Sequence, residues 1–302
     1  MAIIKVRDIT KKYNGFKAVD NVSFAVKKGE TFGILGPNGA GKTTTLEMIE
    51  GLRSISKGQI VVDNFDIKRD TEKVKHIIGV QLQSSTYFDY LTLTEIIDLF
   101  ASFYGIKVDA LSILKKVELE NKRKSYIKAL SGGQKQRFSI ASTLVNQPKI
   151  VFLDEPTTGL DPQARRNIWE LIEQIKSRGQ TIVLTTHYME EAEQLCDRIA
   201  IMDQGKIIDL DTPKQLIRKH GSGSVISFRS KEKLDKKFLK SIPAVTNVSI
   251  EDHKYILKTS DEIKTLKKII SCQEKCQADD LIIRQSTLED VFLNLTGKKL
   301  RE

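Results

Sequence analysis

Gly36-Pro37-Asn38-Gly39-Ala40-Gly41-Lys42-Thr43-Thr44 decides how this chain is read. An apolar run, Thr31-Phe32-Gly33-Ile34-Leu35, precedes it and reads as a buried strand. Thr45-Leu46-Glu47-Met48-Ile49 comes after it and reads as a helix. The spacing G-x-x-x-x-G-K-T between a strand and a helix is that of a loop built to cradle phosphates. Gly36, Gly39 and Gly41 let the backbone turn tightly and approach an anion with no Cβ in the way. The loop amides then form a nest, and the helix adds its positive N-terminal end. Lys42 supplies a full charge for the β- and γ-phosphates, and Thr43 a hydroxyl for Mg²⁺. The loop announces a triphosphate without saying what its energy drives.

Composition narrows the classes. The chain has 302 residues, 40% hydrophobic and 29% charged, as expected of one large or two ordinary globular domains. No apolar run approaches the roughly 20 residues of a membrane span, and Met1–Arg7 lacks the apolar core of a secretory signal. A cytoplasmic chain whose membrane link runs through a partner is expected. The net charge is +10, but 16 of the 49 basic and 12 of the 39 acidic residues lie beyond residue 220, so the excess is spread out. The densest cluster, Asn121-Lys122-Arg123-Lys124, is short and has no interleaved aromatics, so no nucleic-acid partner is expected. Three cysteines, Cys196, Cys272 and Cys276, argue against a disulfide framework. Cys272, Cys276 and His253 fall one ligand short of the usual four for structural zinc.

Upstream of the loop, Ile4 to Ile9 and Val22 to Val26 read as strands with a turn over Thr10–Phe16, a small antiparallel layer beside an α/β core. Tyr13 is an aromatic placed to stack on a base or to pack. Downstream, His76 to Leu82 reads as a buried strand ending at Gln83, where an amide can reach a bound metal or water. Thr92 opens a helix to residue 104 with a capping-box pattern. Residues 108–117 read as helical too. Leu130-Ser131-Gly132-Gly133-Gln134 opens another helix with a second anion-ready N-terminus. One phosphate loop needs no second cradle, so this one serves a nucleotide held by another subunit. Ile150-Val151-Phe152-Leu153 delivers Asp154 toward Mg²⁺ and Glu155 toward the attacking water. Pro156 to Pro162 turns into a helix from Gln163 to Lys176. Thr181 to Thr186 is a core strand ending at His187, on the edge where open α/β sheets bind ligands. Arg198–Met202 and Lys206–Asp209 flank a hairpin turn, and Thr212-Pro213 starts a helix ending near His220.

Gly221-Ser222-Gly223-Ser224 reads as a linker, giving domains 1–220 and 221–302. Beyond it the order is strand (225–229), helix (231–240), strands (245–250 and 255–258), helix (261–272) and strand (281–284). This is the βαββαβ order of the ferredoxin-like split motif. Thr287 begins a last helix. No catalytic cluster appears in this half.

Tyr13, the 36–44 loop, Gln83, Leu130–Gln134, Ile150–Glu155, Gly159–Asp161 and His187 occur in that order. Together they resemble the ATP-binding subunits of ABC transporters over residues 1–220. The Leu-Ser-Gly-Gly-Gln string upstream of Asp154-Glu155 separates that family from other phosphate-loop proteins. Only Gln81, a polar residue in a strand expected to be apolar, departs from the pattern. The resemblance implies a P-loop nucleotide hydrolase core (α/β) with an antiparallel β subdomain and a helical subdomain, followed by the small α+β domain. It implies ATP and Mg²⁺, with Gly36 to Thr44 on the phosphates and Thr43, Gln83 and Asp154 at the metal. Tyr13 would stack on adenine. Ser131, Gly132, Gly133 and Gln134 would meet the γ-phosphate held by the opposite chain, and Asp161 would cross to that chain. Glu155 would polarise water, with Lys42 and His187 on the γ-phosphate. Ser84 to Leu93 would face the coupling helix of an integral-membrane permease, placing the chain at the inner face of the membrane. The partner ATPase would be a second copy or a paralogue. The string Thr287-Leu288-Glu289-Asp290-Val291-Phe292 resembles the end of drug-resistance exporter ATPases, which points to export. A soluble ATPase of this class acting on ribosomes or DNA, and an import motor, remain the alternatives.

Overall fold

The structure is a computed structural model and describes residues 1–82, 87–221, 223–230, 232–251, 254–272 and 276–297. The chain forms two compact units, Met1–Thr212 and a second beginning at Pro213.

In the first unit, β1 (Ala2–Tyr13) and β2 (Phe16–Lys27) form a long hairpin. Its turn is Asn14-Gly15, with Tyr13 opposite Phe16, so the strand runs on through most of the segment the sequence reads as a turn. Asn-Gly is a favoured two-residue hairpin connection, and it lets both strands continue to the tip. β3 (Thr31–Leu35) leads through the glycine-rich loop into α1 (Lys42–Ile49). β4 (Lys57–Val62) and β5 (Phe65–Asp66) complete a four-stranded antiparallel sheet in the order β2-β1-β4-β5.

α2 (Thr71–Ile77) runs directly into β6 (Ile78–Gln81). His76 and Ile77 therefore close a helix rather than open the strand the sequence suggested. Only Val74 of α2 is buried, so this short helix leaves little apolar periodicity to read. α3 (Leu93–Phe103) starts at Thr92 with the expected capping box: Thr92 and Glu95 bond each other's backbone amides reciprocally. α4 (Ala110–Lys115) is next, then α5 (Gly132–Thr143), capped in the same way by Ser131 and Gln134.

β7 (Ile150–Asp154), α6 (Pro162–Ser177), β8 (Thr181–Thr186), α7 (Met189–Leu195), β9 (Arg198–Asp203) and β10 (Lys206–Asp211) complete the unit. The large sheet has the order β10-β9-β3-β8-β7-β6 and is parallel except at β10. β3, β7 and β8 are buried throughout, which is why each reads as a continuous apolar run rather than an alternation. Their C-terminal ends lie along one edge. That edge receives the glycine-rich loop, Asp154 and His187, as open α/β sheets place their ligands.

The second unit starts with α8 (Pro213–His220), eight residues before the glycine-serine stretch. This helix packs on the unit's last helix and buries Leu216 completely, so its contacts assign it to the C-terminal unit. Next come β11 (Ser224–Ser230), α9 (Lys236–Lys240), β12 (Val245–Glu251), β13 (Lys254–Thr259), α10 (Glu262–Ser271), β14 (Ala278–Gln285) and α11 (Leu288–Thr296). The antiparallel sheet order β12-β13-β11-β14 is the ferredoxin-like arrangement expected from βαββαβ. α9 is shorter than the sequence suggested, because Asp235 caps it and starts it late. Ile226, Phe228, Leu239, Val248, Leu257 and Ile269 form the core of this unit.

Candidate nucleotide site

Two loop glycines are fixed by space. A Cβ on Gly36 would lie 2.2 Å from the Met202 carbonyl oxygen. A Cβ on Gly41, where φ is +99°, would lie 2.4 Å from the Ala18 oxygen. The loop is thus pressed against β2 and β9, with no side chains to fill its concave face. The Gly36 amide donates to the Thr186 carbonyl at 3.3 Å, which ties the loop to the end of β8. α1 begins at Lys42, and its first helical bond is that of the Thr45 amide to the Gly41 carbonyl at 2.9 Å, which leaves the amides before it without an i−4 acceptor.

Lys42 is 4% exposed and folds back onto its own loop. Its Nζ donates to the carbonyls of Gly36 (2.9 Å) and Pro37 (3.2 Å) and lies 3.3 Å from Glu155 Oε1. Burial pushes its ammonium below the ordinary value, against the pull of Glu155.

Asp154 ends β7. Its Oδ1 accepts from the hydroxyls of Thr43 (3.2 Å) and Thr185. Burial raises its carboxyl, and these two hydroxyls work against that rise. A buried carboxylate facing a threonine hydroxyl is a pair of oxygen ligands suited to a hard divalent cation, which would supply the positive charge the carboxylate lacks there. The residues present therefore fit Mg²⁺.

Glu155 is next in the chain, with φ +50°, in the left-handed region that costs a non-glycine residue strain. Two bonds hold its amide there, to the Thr185 carbonyl (3.2 Å) and hydroxyl (3.1 Å). Its Oε2 accepts from Thr158 Oγ1 at 3.1 Å. His187 Nδ1 also lies 3.1 Å from Oε2. His187, outweighing burial, and then Lys42 hold the Glu155 carboxyl down at about 2. This acid is ionised at neutral pH and faces the place where the loop would hold a phosphate.

The other sequence-derived residues lie apart from this cluster. Ser131 caps α5, and Gly133 sits close enough to α6 that an added Cβ would be 3.3 Å from the Ala164 methyl. Asp161 caps α6, accepting from the Ala164 amide at 2.9 Å. Ser131, Gly132 and Asp161 are exposed, while Gly133 and Gln134 are half-buried. Among the described residues no hydrogen bond or ion pair joins this second cluster to Lys42, Glu155 or His187. Tyr13 stands at the tip of β1, 37% exposed. Its hydroxyl accepts from Arg53 at 2.6 Å, and Arg53 pairs with Glu47 on α1. Gln83 lies outside the described residues.

Sequence reasoning missed several groups. Thr185 holds both Asp154 and the Glu155 amide; its only signal is a hydroxyl at the end of a buried apolar strand. Gln81, noted as a departure, is 3% exposed. Its Nε2 donates to the Leu82 carbonyl at 2.7 Å and reaches the Asp154 carbonyl at 3.5 Å, while its Oε1 has no partner. Glu50, at the end of α1, is 1% exposed with both carboxylate oxygens unpartnered. Burial first, then the charges of Asp154 and Glu47, raise it to about 8.

Glu50 gives a pH-dependent expectation. Between its unfolded value of 4.5 and the folded value of about 8, the unfolded chain ionises this acid and the folded chain does not. Its contribution to stability therefore falls as pH rises through that window and is level above it. Glu50→Gln cannot titrate. Without nucleotide or Mg²⁺, it should gain stability over the parent from pH 5 to pH 8, to an upper limit of about 4 kcal/mol. Urea unfolding at both pH values measures this; a pH-independent difference contradicts it.

Beside the site, a groove of about 570 Å³ is lined by Leu52, Leu82, Tyr87, Phe100, Phe103 and Tyr104, among others. Phe103 is 70% exposed, Leu52 53% and Leu82 44%.

With this geometry in view, the comparisons with known proteins agree with one another. Residues 19–158 match the family model described as ABC transporter. The chain is 36% identical to the linearmycin resistance ATP-binding protein LnrL of Bacillus subtilis, over 99% of this chain and 100% of that protein. It is 34% identical to the Nod factor export ATP-binding protein I of Ralstonia nicotianae, over 99% and 95%. Among solved structures, it resembles the ATP-binding cassette MJ0796 in a dimeric post-hydrolysis state bound to ADP and Pi. The TM-score is 0.63 and the identity 30%, covering 69% of this chain and 98% of that one.

Proposed function

The chain belongs to the ATP-binding, ATP-hydrolysing subunits of ABC transporters, and from that premise we propose that it powers export through a separate membrane permease. The observation that carries the ATP-hydrolysing part of this reading is the cluster of buried Lys42 and Glu155 with half-buried His187, beside the Thr43–Asp154 pair at the carboxyl edge of the parallel sheet.

The loop amides and Lys42 bind the phosphates, and Tyr13 stacks on the adenine. Thr43 and Asp154, with Gln83, would hold Mg²⁺, which would supply positive charge against the phosphates. Glu155, ionised and steered by Thr158, accepts a proton from the attacking water. His187 contacts the γ-phosphate. Electrostatic stabilisation falls to groups already in place, with little reorganisation at the moment of reaction.

The second cluster supports a dimer. Ser131 to Gln134 and Asp161 form a mainly exposed surface beside two helix N-termini, with no nucleotide loop of its own. A second copy or a paralogue, docked head to tail, would receive it at its own ATP. ATP then favours the closed pair, and hydrolysis releases it. The similar cassette MJ0796 is itself dimeric with ADP and Pi.

Export is supported by the names of two relatives, one for linearmycin resistance and one for Nod factor export. Among the described residues no helix is long and apolar enough to cross a membrane. The aromatic groove is the surface to which we assign the permease. It exposes apolar area and includes Tyr87 of the 84–93 segment, and an amphipathic cytoplasmic helix of a permease is the chemistry it fits. The chain would then sit on the inner face of the membrane. Residues 213–302 are assigned an accessory role.

A pull-down of tagged chain from detergent-solubilised membranes tests the reading, with Phe103→Asp in parallel. A polytopic membrane protein should co-purify with the parent. The variant should lose it while ATP affinity stays unchanged. Recovery of ribosomal or DNA-associated proteins instead would favour a soluble ATPase.

A further inference from the structure

Behind the catalytic edge, α6 and α7 are joined by buried polar contacts that the chemistry above does not use. Glu191, in the first turn of α7, is 0% exposed. Its Oε1 accepts from Thr157 Oγ1 at 2.7 Å and from Trp169 Nε1 at 3.2 Å. Burial pushes its carboxyl up, and the hydroxyls of Thr186 and Thr157 with the Trp169 indole oppose that. One helical turn before Trp169, Arg165 lays its guanidinium 4.1 Å from the centre of the Tyr188 ring. That ring is in turn 4.2 Å from the ring of His187.

These contacts connect two functional turns. Thr157 belongs to the turn that leads to Asp161, and Arg165 donates its amide to the Asp161 carbonyl at 2.9 Å. Tyr188 and Glu191 belong to the segment that begins at His187. Arg165 and Trp169 are four apart on α6, so they share a face, and Tyr188 and Glu191 are three apart at the start of α7. Two tethers on matching faces thus join the pair of turns. A wholly buried acid is costly, and a pair of apolar side chains would hold two helices together as well. What the acid adds is direction, since one oxygen fixes a hydroxyl and an indole at once.

We propose that Glu191 is a positioning residue that locks the Asp161 turn to the His187 turn. It thereby couples the surface offered to the opposite chain's ATP to the γ-phosphate contact of its own site. This rests on the roles assigned above to Asp161 and His187. Glu191 touches neither nucleotide nor water; it acts through Thr157 and Trp169.

Trp169 is the only tryptophan of the chain, so its emission reports on this contact without labelling. The experiment uses the full chain with Mg-ATP and compares Glu191→Ala, which removes the acceptor, with Glu191→Gln, which keeps one. In Glu191→Ala, kcat should fall about tenfold or more, with the Kd for ATP within about twofold of the parent. Glu191→Gln should recover most of that loss. ATP should shift the Trp169 emission of the parent and leave that of Glu191→Ala unmoved. If Glu191→Ala melts early, Thr157→Val removes only the hydroxyl and should lower kcat with ATP affinity again unchanged. The proposal is overturned by parental kcat in a folded variant, by equal losses in the alanine and glutamine variants, or by ATP affinity falling in step with kcat. Failure of the broader reading looks different: there, the parent chain itself neither binds nor hydrolyses ATP.

Discussion

Glu155→Gln is expected to bind ATP normally and hydrolyse it about a thousandfold more slowly, the scale on which a positioned general base contributes. The substitution keeps the shape of the side chain and an oxygen to accept from Thr158 Oγ1. It removes the charge that Lys42 and His187 face at 3.3 and 3.1 Å. A carboxylate held at about 2 is ionised at any physiological pH, so the parent can always accept a proton there, and the amide cannot. Binding should hold or tighten, because one negative charge no longer opposes the γ-phosphate. ATP that is bound and not cleaved should keep two chains together. Phosphate release under single-turnover conditions and elution volume with ATP measure the two effects. Normal turnover in the variant would remove Glu155 from its assigned role.

Lys42→Ala should weaken ATP binding by about a hundredfold or more, the loss of at least one charge-assisted contact to phosphate in a dry setting. The ammonium is 4% exposed, so water cannot replace it without opening the loop. The same change leaves Glu155 without its lysine partner, which adds electrostatic opposition to an incoming triphosphate. Both effects act in one direction. Equilibrium binding of a fluorescent ATP analogue measures the sum, and unchanged affinity would contradict the phosphate-loop assignment.

The arrangement at the carboxyl edge of the large sheet was legible because each of its parts has a strong local signature. Glycines that cannot carry a Cβ, apolar runs ending in acids, and Ser or Thr with Glu or Gln three residues on are statements of backbone chemistry. The second unit was legible for a similar reason: its strands and helices alternate in one order that few topologies satisfy. The missing parts are those decided by distant neighbours. Nothing near Glu191 announces that Thr157 and Trp169 converge on it, from 34 and 22 positions away. Glu50 reads as an ordinary helix-end acid until burial is known. The short α2 has only one buried residue, so apolar His76–Leu82 outweighed it. The boundary before α8 depends on a helix-to-helix contact with residues some seventy positions later, which a glycine-serine stretch does not encode.

The lysine that folds back onto Gly36 and Pro37 also sets an entry threshold for any ligand. Its donors are already engaged by two carbonyls and a carboxylate, so a newcomer must displace contacts that are in place. A stray chloride or a single inorganic phosphate brings fewer contacts to that exchange. A triphosphate with its metal brings several at once. The loop is thus a filter against small anions, because each must break existing contacts to enter.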